Sequence, residues 1–166
     1  MRFDPPPSAA GLLGTCYLAA DPVTALMEAV ADLPLLTQGL IDARAMLMCQ
    51  VATAQKMADL TSPLIVGDWH LDRRISIGDG YDVCQRWAHA LRLAGFSGIY
   101  YEPRHDPRDR KYVRAASVAL FATPGLQRHL LARDDDGPVP VRVVEEAEAV
   151  FGLRVYPSAP LPPTFP

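Results

Sequence analysis

The order of apolar runs and turn signals in this 166-residue chain predicts an α+β domain. Three observations carry that reading. The strand-forming run Gly14-Thr15-Cys16-Tyr17-Leu18-Ala19 passes through Asp21-Pro22 directly into a helical repeat. A second helical repeat, over residues 80–95, passes through Gly95 into the apolar run Ile99-Tyr100-Tyr101. A charged, proline-interrupted loop then leads to a small-residue strand at 115–121, so that strand, loop and strand enclose a cleft. With 49% hydrophobic and 21% charged residues the chain can bury one full core, and residues 1–166 are read as a single domain.

Taken in order, the elements follow from local chemistry. Asp4-Pro5-Pro6-Pro7 and the proline-rich tail 157–166 read as extended ends. After the strand at 14–19, Asp21 is a helix N-cap and Pro22 suits the first helical position. Val23, Leu26, Met27 and Val30 then share one face, which predicts a helix over 22–31. Residues 44–53 read as a strand between polar breaks, and Asp59-Leu60-Thr61-Ser62-Pro63 as a turn, because Pro63 bars helix at Ser62. Tyr81, Cys84, Trp87, Ala88, Leu91 and Ala94 recur at helical steps, so the helix at 80–95 buries Tyr81 and Trp87 in the core. A strand at 97–101, a loop at 102–110 and a strand at 115–121 follow. Asp134-Asp135-Asp136 reads as a solvated loop, 141–150 as a helix and 153–156 as a last strand, with no internal repeat.

Composition and spacing exclude several function classes. A formal charge of -3 gives no polyanion-binding surface, so direct nucleic-acid binding is not expected. Three cysteines are a poor disulfide set and suit a reducing cytoplasm. The uncharged stretch from 5 to 20 is broken by prolines and glycines and has no basic flank, so neither a signal peptide nor a membrane span is expected. Glycine-rich phosphate loops, G-x-S-x-G, H-E-x-x-H and paired C-x-x-C motifs are missing. Cys84 and His89 share a helix but stand about 140° apart around it, which disfavours a nucleophile–base pair. His105, Asp106 and Asp109 have the donors for a metal, but a solvated polar loop is the simpler reading and no metal is expected. From spacing alone Glu28 points about 140° away from the apolar stripe of its helix and reads as an exposed glutamate. Arg2 reads as a mobile terminal residue.

Two stretches change that picture. Arg2-Phe3-Asp4-Pro5-Pro6, followed by Tyr17-Leu18-Ala19-Ala20-Asp21-Pro22-Val23-Thr24-Ala25-Leu26-Met27-Glu28, resembles the opening of the RES domain, which pairs RF-x-P-P with YLA…A-x-x-E. Asp59-Leu60-Thr61, the block from Gly80 through Ala88, the block from Gly98 through Asp106, and Val118-Ala119-Leu120-Phe121 are similar to the later blocks of that family, in the same order. The resemblance covers residues 2–122. It implies an ADP-ribosyltransferase-like fold, with two small split, twisted sheets forming a central cleft and helices on the flanks. It also implies NAD as substrate, and life as the toxin of a bacterial toxin–antitoxin pair with a helical Xre-type antitoxin. Assembly with itself or with the antitoxin stays open.

Carried over residue by residue, the resemblance gives Arg2 and Glu28 the arginine and glutamate roles, with Tyr17 as their aromatic neighbour in the catalytic group. Arg2 would fork onto the pyrophosphate or ribose, Glu28 would stabilise positive charge developing on the ribose, and Tyr17 would meet the nicotinamide side. Tyr81, Gln85 and Arg104 fall in blocks bordering the cleft and are expected to bind the dinucleotide. The family's third signature residue, a serine, corresponds to Pro103, which has neither hydroxyl nor backbone N–H. Family members also carry a strand before the RF block, whereas here Met1 precedes Arg2, so part of the NAD site is expected to be built differently. Three acceptors remain open: water, phosphate or a protein side chain, with NAD degradation favoured over protein modification. The competing class is a catalytically impaired RES-like protein that only engages an antitoxin.

Overall fold

The computed structural model describes residues 2–6, 13–68, 75, 80–106, 108, 116–123, 130–132 and 136–158. Its largest sheet has the order β1-β6-β5-β4, from β1 (Gly14–Ala19), β6 (Ser117–Ala122), β5 (Gly98–Tyr101) and β4 (Met57–Asp59). The central strand β6 runs antiparallel to both neighbours, with Ser117 opposite Ala19 on one side and Tyr101 on the other. β4 joins the edge parallel to β5. Small residues permit this close pairing: a Cβ at Gly98 would stand 2.5 Å from the Ala119 carbonyl oxygen.

Two cores result. The first lies between the sheet and helix α4 (Tyr81–Leu93), where Cys84, Ala88 and Leu91 meet Ile99, Tyr101, Ala119 and Phe121. Gly95 follows that helix at a φ of 81°, a left-handed conformation that lets the chain turn sharply into β5. The second core lies between helix α1 (Pro22–Val30) and helix α5 (Val141–Phe151), where Val23, Leu26, Met27 and Val30 meet Val143 and Ala147. α1 starts as its sequence requires: the Asp21 carboxylate accepts from the N–H groups of Val23 and Thr24 at 3.1 and 3.0 Å, with Pro22 in the first turn. The α+β class, with small sheets and flanking helices, is the one the sequence predicts.

Several elements differ from expectation. The strand expected over 44–53 is two short strands, β2 (Ala45–Met46) paired with β8 (Gly137–Pro138) and β3 (Cys49–Val51) paired with β7 (Leu130–Ala132). The chain changes partner between them, which periodicity within one run cannot reveal. β8 also claims Gly137 and Pro138 beside the expected acidic loop; Asp136 is exposed, and Asp134 and Asp135 lie outside the described residues. The turn at Asp59 is present, with its carboxylate accepting from the Thr61 N–H at 2.9 Å. It is flanked by two unexpected elements, β4 and the short helix α3 (Pro63–Asp68), which starts on a proline as first turns allow.

The last strand expected at 153–156 is reduced to one bridge, Tyr156 with Thr37. Thr37 caps helix α2 (Gln38–Asp42), so the partner leaves the extended conformation one residue later and no ladder can grow. Of the tail 157–166, Pro157 and Ser158 alone are described, and the Ser158 hydroxyl accepts from the Gly39 N–H at 2.7 Å. Trp87 packs at the edge of the first core as expected, but Tyr81, the first residue of α4, is 39% exposed. Among the described residues no helix is long and apolar enough to cross a membrane.

Candidate active site

The N-terminal segment is pinned across β1. The Thr15 hydroxyl donates to the Phe3 carbonyl at 3.0 Å, and the Tyr17 hydroxyl accepts from the Phe3 N–H at 2.8 Å while donating to Asp4 Oδ1 at 3.0 Å. Residues 15 and 17 lie on the same face of the strand, so two anchors two residues apart suffice to fix the segment. The Phe3 ring is 1% exposed and meets Tyr101 edge-on, with centroids 4.9 Å apart. Burial first, and then the Asp4 carboxylate, push the Tyr17 phenol far above the usual tyrosine range, so it stays a neutral donor.

That anchoring buries Arg2, contrary to its reading as a mobile terminal residue. Its guanidinium lies 5.3 Å from the Tyr81 ring centroid, and Nη1 reaches the Ile75 carbonyl at 3.4 Å and the Cys84 sulfur at 3.8 Å. The Cys84 thiol in turn faces the Ile75 and Gly80 carbonyls, whereas His89 lies beside Thr15, Arg92 and Phe121, so the two form no catalytic pair. Gln85 is half-buried one turn beyond Tyr81 on α4.

Glu28 is half-buried, not exposed. Its Oε1 accepts from the His105 backbone N–H at 3.2 Å, because the segment after β5 returns over α1 and covers the polar side of that helix. The described part of that loop at His105, Asp106 and Arg108, read as solvated, is therefore packed over α1. The Asp106 side chain is 1% exposed and accepts from Arg108 Nε at 2.9 and 3.0 Å, and Arg108 also reaches Asp21 at 2.9 Å. Burial pushes the Asp106 carboxyl up, but hydrogen bonds from Arg108 and Thr24 outweigh it and hold the group below the usual carboxylate range. Among the described residues no group of three or more His, Cys, Asp and Glu side chains could hold a metal ion, and Asp109 lies outside them.

Tyr101 connects the two halves of the site. Its phenol is buried, and it senses both the Glu28 carboxylate and the Arg2 guanidinium. Burial, followed by Glu28, raises its ionisation well above the usual tyrosine range, with the Ser117 hydroxyl and Arg2 opposing. Ser117, opposite Tyr101 in the sheet, is 1% exposed, and its hydroxyl meets no partner with full hydrogen-bond geometry. Arg2, Tyr17 and Glu28 thus interact electrostatically with Tyr101, which the sequence offered only as a strand residue. Tyr101 pairs with Ser117 across the sheet and Phe3 meets the same ring edge-on, contacts that no pattern within the strand itself signals. Of the residues expected to bind dinucleotide, Tyr81 and Gln85 lie on the Arg2 side, while Arg104 is exposed on the covering segment. Pro103, at the serine position, is buried.

A sequence model of the RES domain matches residues 1–142, which contain every residue of this cluster. The chain belongs to the RES family. No curated protein is detectably similar to it in sequence. Among solved structures, this RES domain is similar to a chain in the crystal structure of the M. tuberculosis MbcT–MbcA toxin–antitoxin complex, with a TM-score of 0.64 at 19% identity. The alignment covers 90% of this chain and 76% of that one. At that identity the likeness shows a shared fold.

Proposed function

We propose that this RES domain is the toxin of a toxin–antitoxin pair and that it degrades NAD by breaking the nicotinamide–ribose bond. One observation carries the reading: a buried arginine and a carboxylate held by a backbone N–H both act electrostatically on one buried phenol, in a chain of the RES family. As the bond from ribose C1′ to nicotinamide nitrogen breaks, its electron pair leaves with nicotinamide and positive charge builds on the ribose. Glu28 stabilises that charge and orients the incoming nucleophile. Arg2, held under Tyr81, offers its fork to a phosphate or ribose oxygen of the dinucleotide. Tyr17 acts on the site by holding Arg2 in place through Phe3. Water adding to C1′ yields ADP-ribose, nicotinamide and a proton; phosphate in its place yields the ribose 1-phosphate ester, and a protein side chain an ADP-ribosylated protein.

The three thiols suit work in the reducing cytoplasm. The partner is a protein antitoxin of the helical Xre type, a reading supported by family membership and by the fold shared with a chain of a toxin–antitoxin complex. Buried Pro103 at the serine position favours a second reading, a RES domain that engages its antitoxin without catalysis.

One assay separates these readings. Purified protein is incubated with NAD, with and without phosphate, and the products are weighed by mass spectrometry. Free ADP-ribose formed without phosphate supports hydrolysis, and Glu28→Gln is expected to slow it by about 10²- to 10³-fold. Intact NAD in both mixtures, with an antitoxin still bound, overturns the enzymatic reading.

A further inference from the structure

The face of α1 turned away from the second core carries Asp21, Thr24, Glu28 and Asp32, spaced by three or four residues and spanning about 80° of arc. Every member of that polar stripe has a partner in residues 105, 106 and 108. At the first turn, Asp21 accepts from Arg108, and the Thr24 hydroxyl, on a residue with no exposed surface, donates to Asp106 at 2.9 Å. In the middle, Glu28 accepts from the His105 N–H. Beyond the last turn, Asp32 stands 3.4 Å from the His105 imidazole. The Arg108 guanidinium also lies 5.5 Å from the Phe151 ring centroid, so the same side chain engages α5.

The fastening is strongest where the charges are most buried. The Arg108 and Asp106 side chains are 14% and 1% exposed, while Asp32 at the opposite end is 71% exposed. Arg108 bonds Asp106 through both Nε and Nη2 while Nη2 also reaches Asp21, a bidentate grip that the planar guanidinium fork supplies. The covering segment is thus tied to the N-terminal turn of α1, and the amide that meets Glu28 sits one residue before the tie.

We infer that Asp106 and Arg108 are positioning residues for Glu28: by tying the covering segment to Asp21 and Thr24, they hold the His105 N–H on Oε1 and so fix the carboxylate that faces the ribose. A glutamate one turn from the end of a helix otherwise has free side-chain torsions, and a displacement of about 1 Å at a reacting group can cost roughly 10²-fold in rate. The inference rests on the proposed role of Glu28 for its catalytic consequence and on geometry alone for the tie.

The test uses the full chain and two independent readouts. Exchange of the His105 amide is followed by NMR in the parent, Arg108→Met, Arg108→Lys, Glu28→Ala and the Glu28→Ala/Arg108→Met double variant, with Arg86→Met as a surface control. Arg108→Met, which frees the covering segment, and Glu28→Ala, which removes the acceptor, are each expected to speed that exchange about fivefold to tenfold, and the double variant no more than the larger single, because both act on the same bond. Arg108→Lys falls between, and the control matches the parent. In the NAD assay Arg108→Met lowers kcat about 10- to 100-fold while KM stays within about threefold. Unchanged His105 exchange in Arg108→Met, or a loss confined to KM, overturns the inference. If Arg108→Met does not fold, Asp106→Asn carries the same comparison. A parent protein that consumes no NAD overturns the functional reading, and the exchange measurement still decides the tie.

Discussion

The Tyr17 hydroxyl accepts from the Phe3 N–H and donates to Asp4, so Tyr17→Phe removes both partners while leaving the ring in its place. The Phe3 N–H then loses its acceptor beside a fully buried side chain. We expect a loss of about 1–3 kcal/mol in urea denaturation, with NAD turnover falling in step because Arg2 is the next residue. At this scale the sequence was least informative. Arg2 at a terminus and Glu28 on the polar side of a helix each have an ordinary reading as exposed residues, and the resemblance to the RES domain was what marked them. Their burial depends on partners that local spacing does not contain: Tyr17 across a strand for one, the segment after β5 for the other.

At the scale of the element, α1 shows both what patterning can reveal and what it misses. Its cap, its first-turn proline and its apolar stripe were all readable, because each is set by residues within one or two turns. The stripe Asp21, Thr24, Glu28 and Asp32 was equally present in the sequence, but a polar stripe at helical spacing usually faces solvent. Here it faces Asp106 and Arg108, with consequences for acid stability. Burial pushes the Asp21 carboxyl up, while hydrogen bonds from Thr24 and Arg108 outweigh it and depress it below the usual range, as at Asp106. A depressed carboxyl contributes stability that is present above its unfolded value, about 4, and is lost as pH falls through the lower folded value. Urea midpoints recorded from pH 6 down to 2 should therefore fall in the parent. Asp106→Asn should start less stable at pH 6 and lose less on acidification. Parallel profiles for the two proteins would show that the tie contributes nothing to acid stability.

At the scale of the whole molecule, the two cores divide the work. The first sets the sheet and the floor of the site, and the second holds α1 against α5. Leu26, 2% exposed, belongs to the second core and not to the first, and Leu26→Ala is expected to cost about 2–5 kcal/mol in denaturant unfolding. Under conditions where the variant remains folded, its KM for NAD should match that of the parent. The sequence by itself determined the α+β class, α1 with its cap, the strands at β1, β5 and β6, and the helices α4 and α5, since each rests on periodicity and end signals within a single run. The tertiary structure alone decided the split of residues 44–53 between two partners, the arrival of β4 at the sheet edge, and the burial of Asp106 and Arg108. It also brought Arg2 and Glu28 within electrostatic reach of Tyr101. The physical reason is common to all of these: strand pairing and charge burial are settled by residues far apart in the chain, and the free energy that selects them appears only once those residues meet.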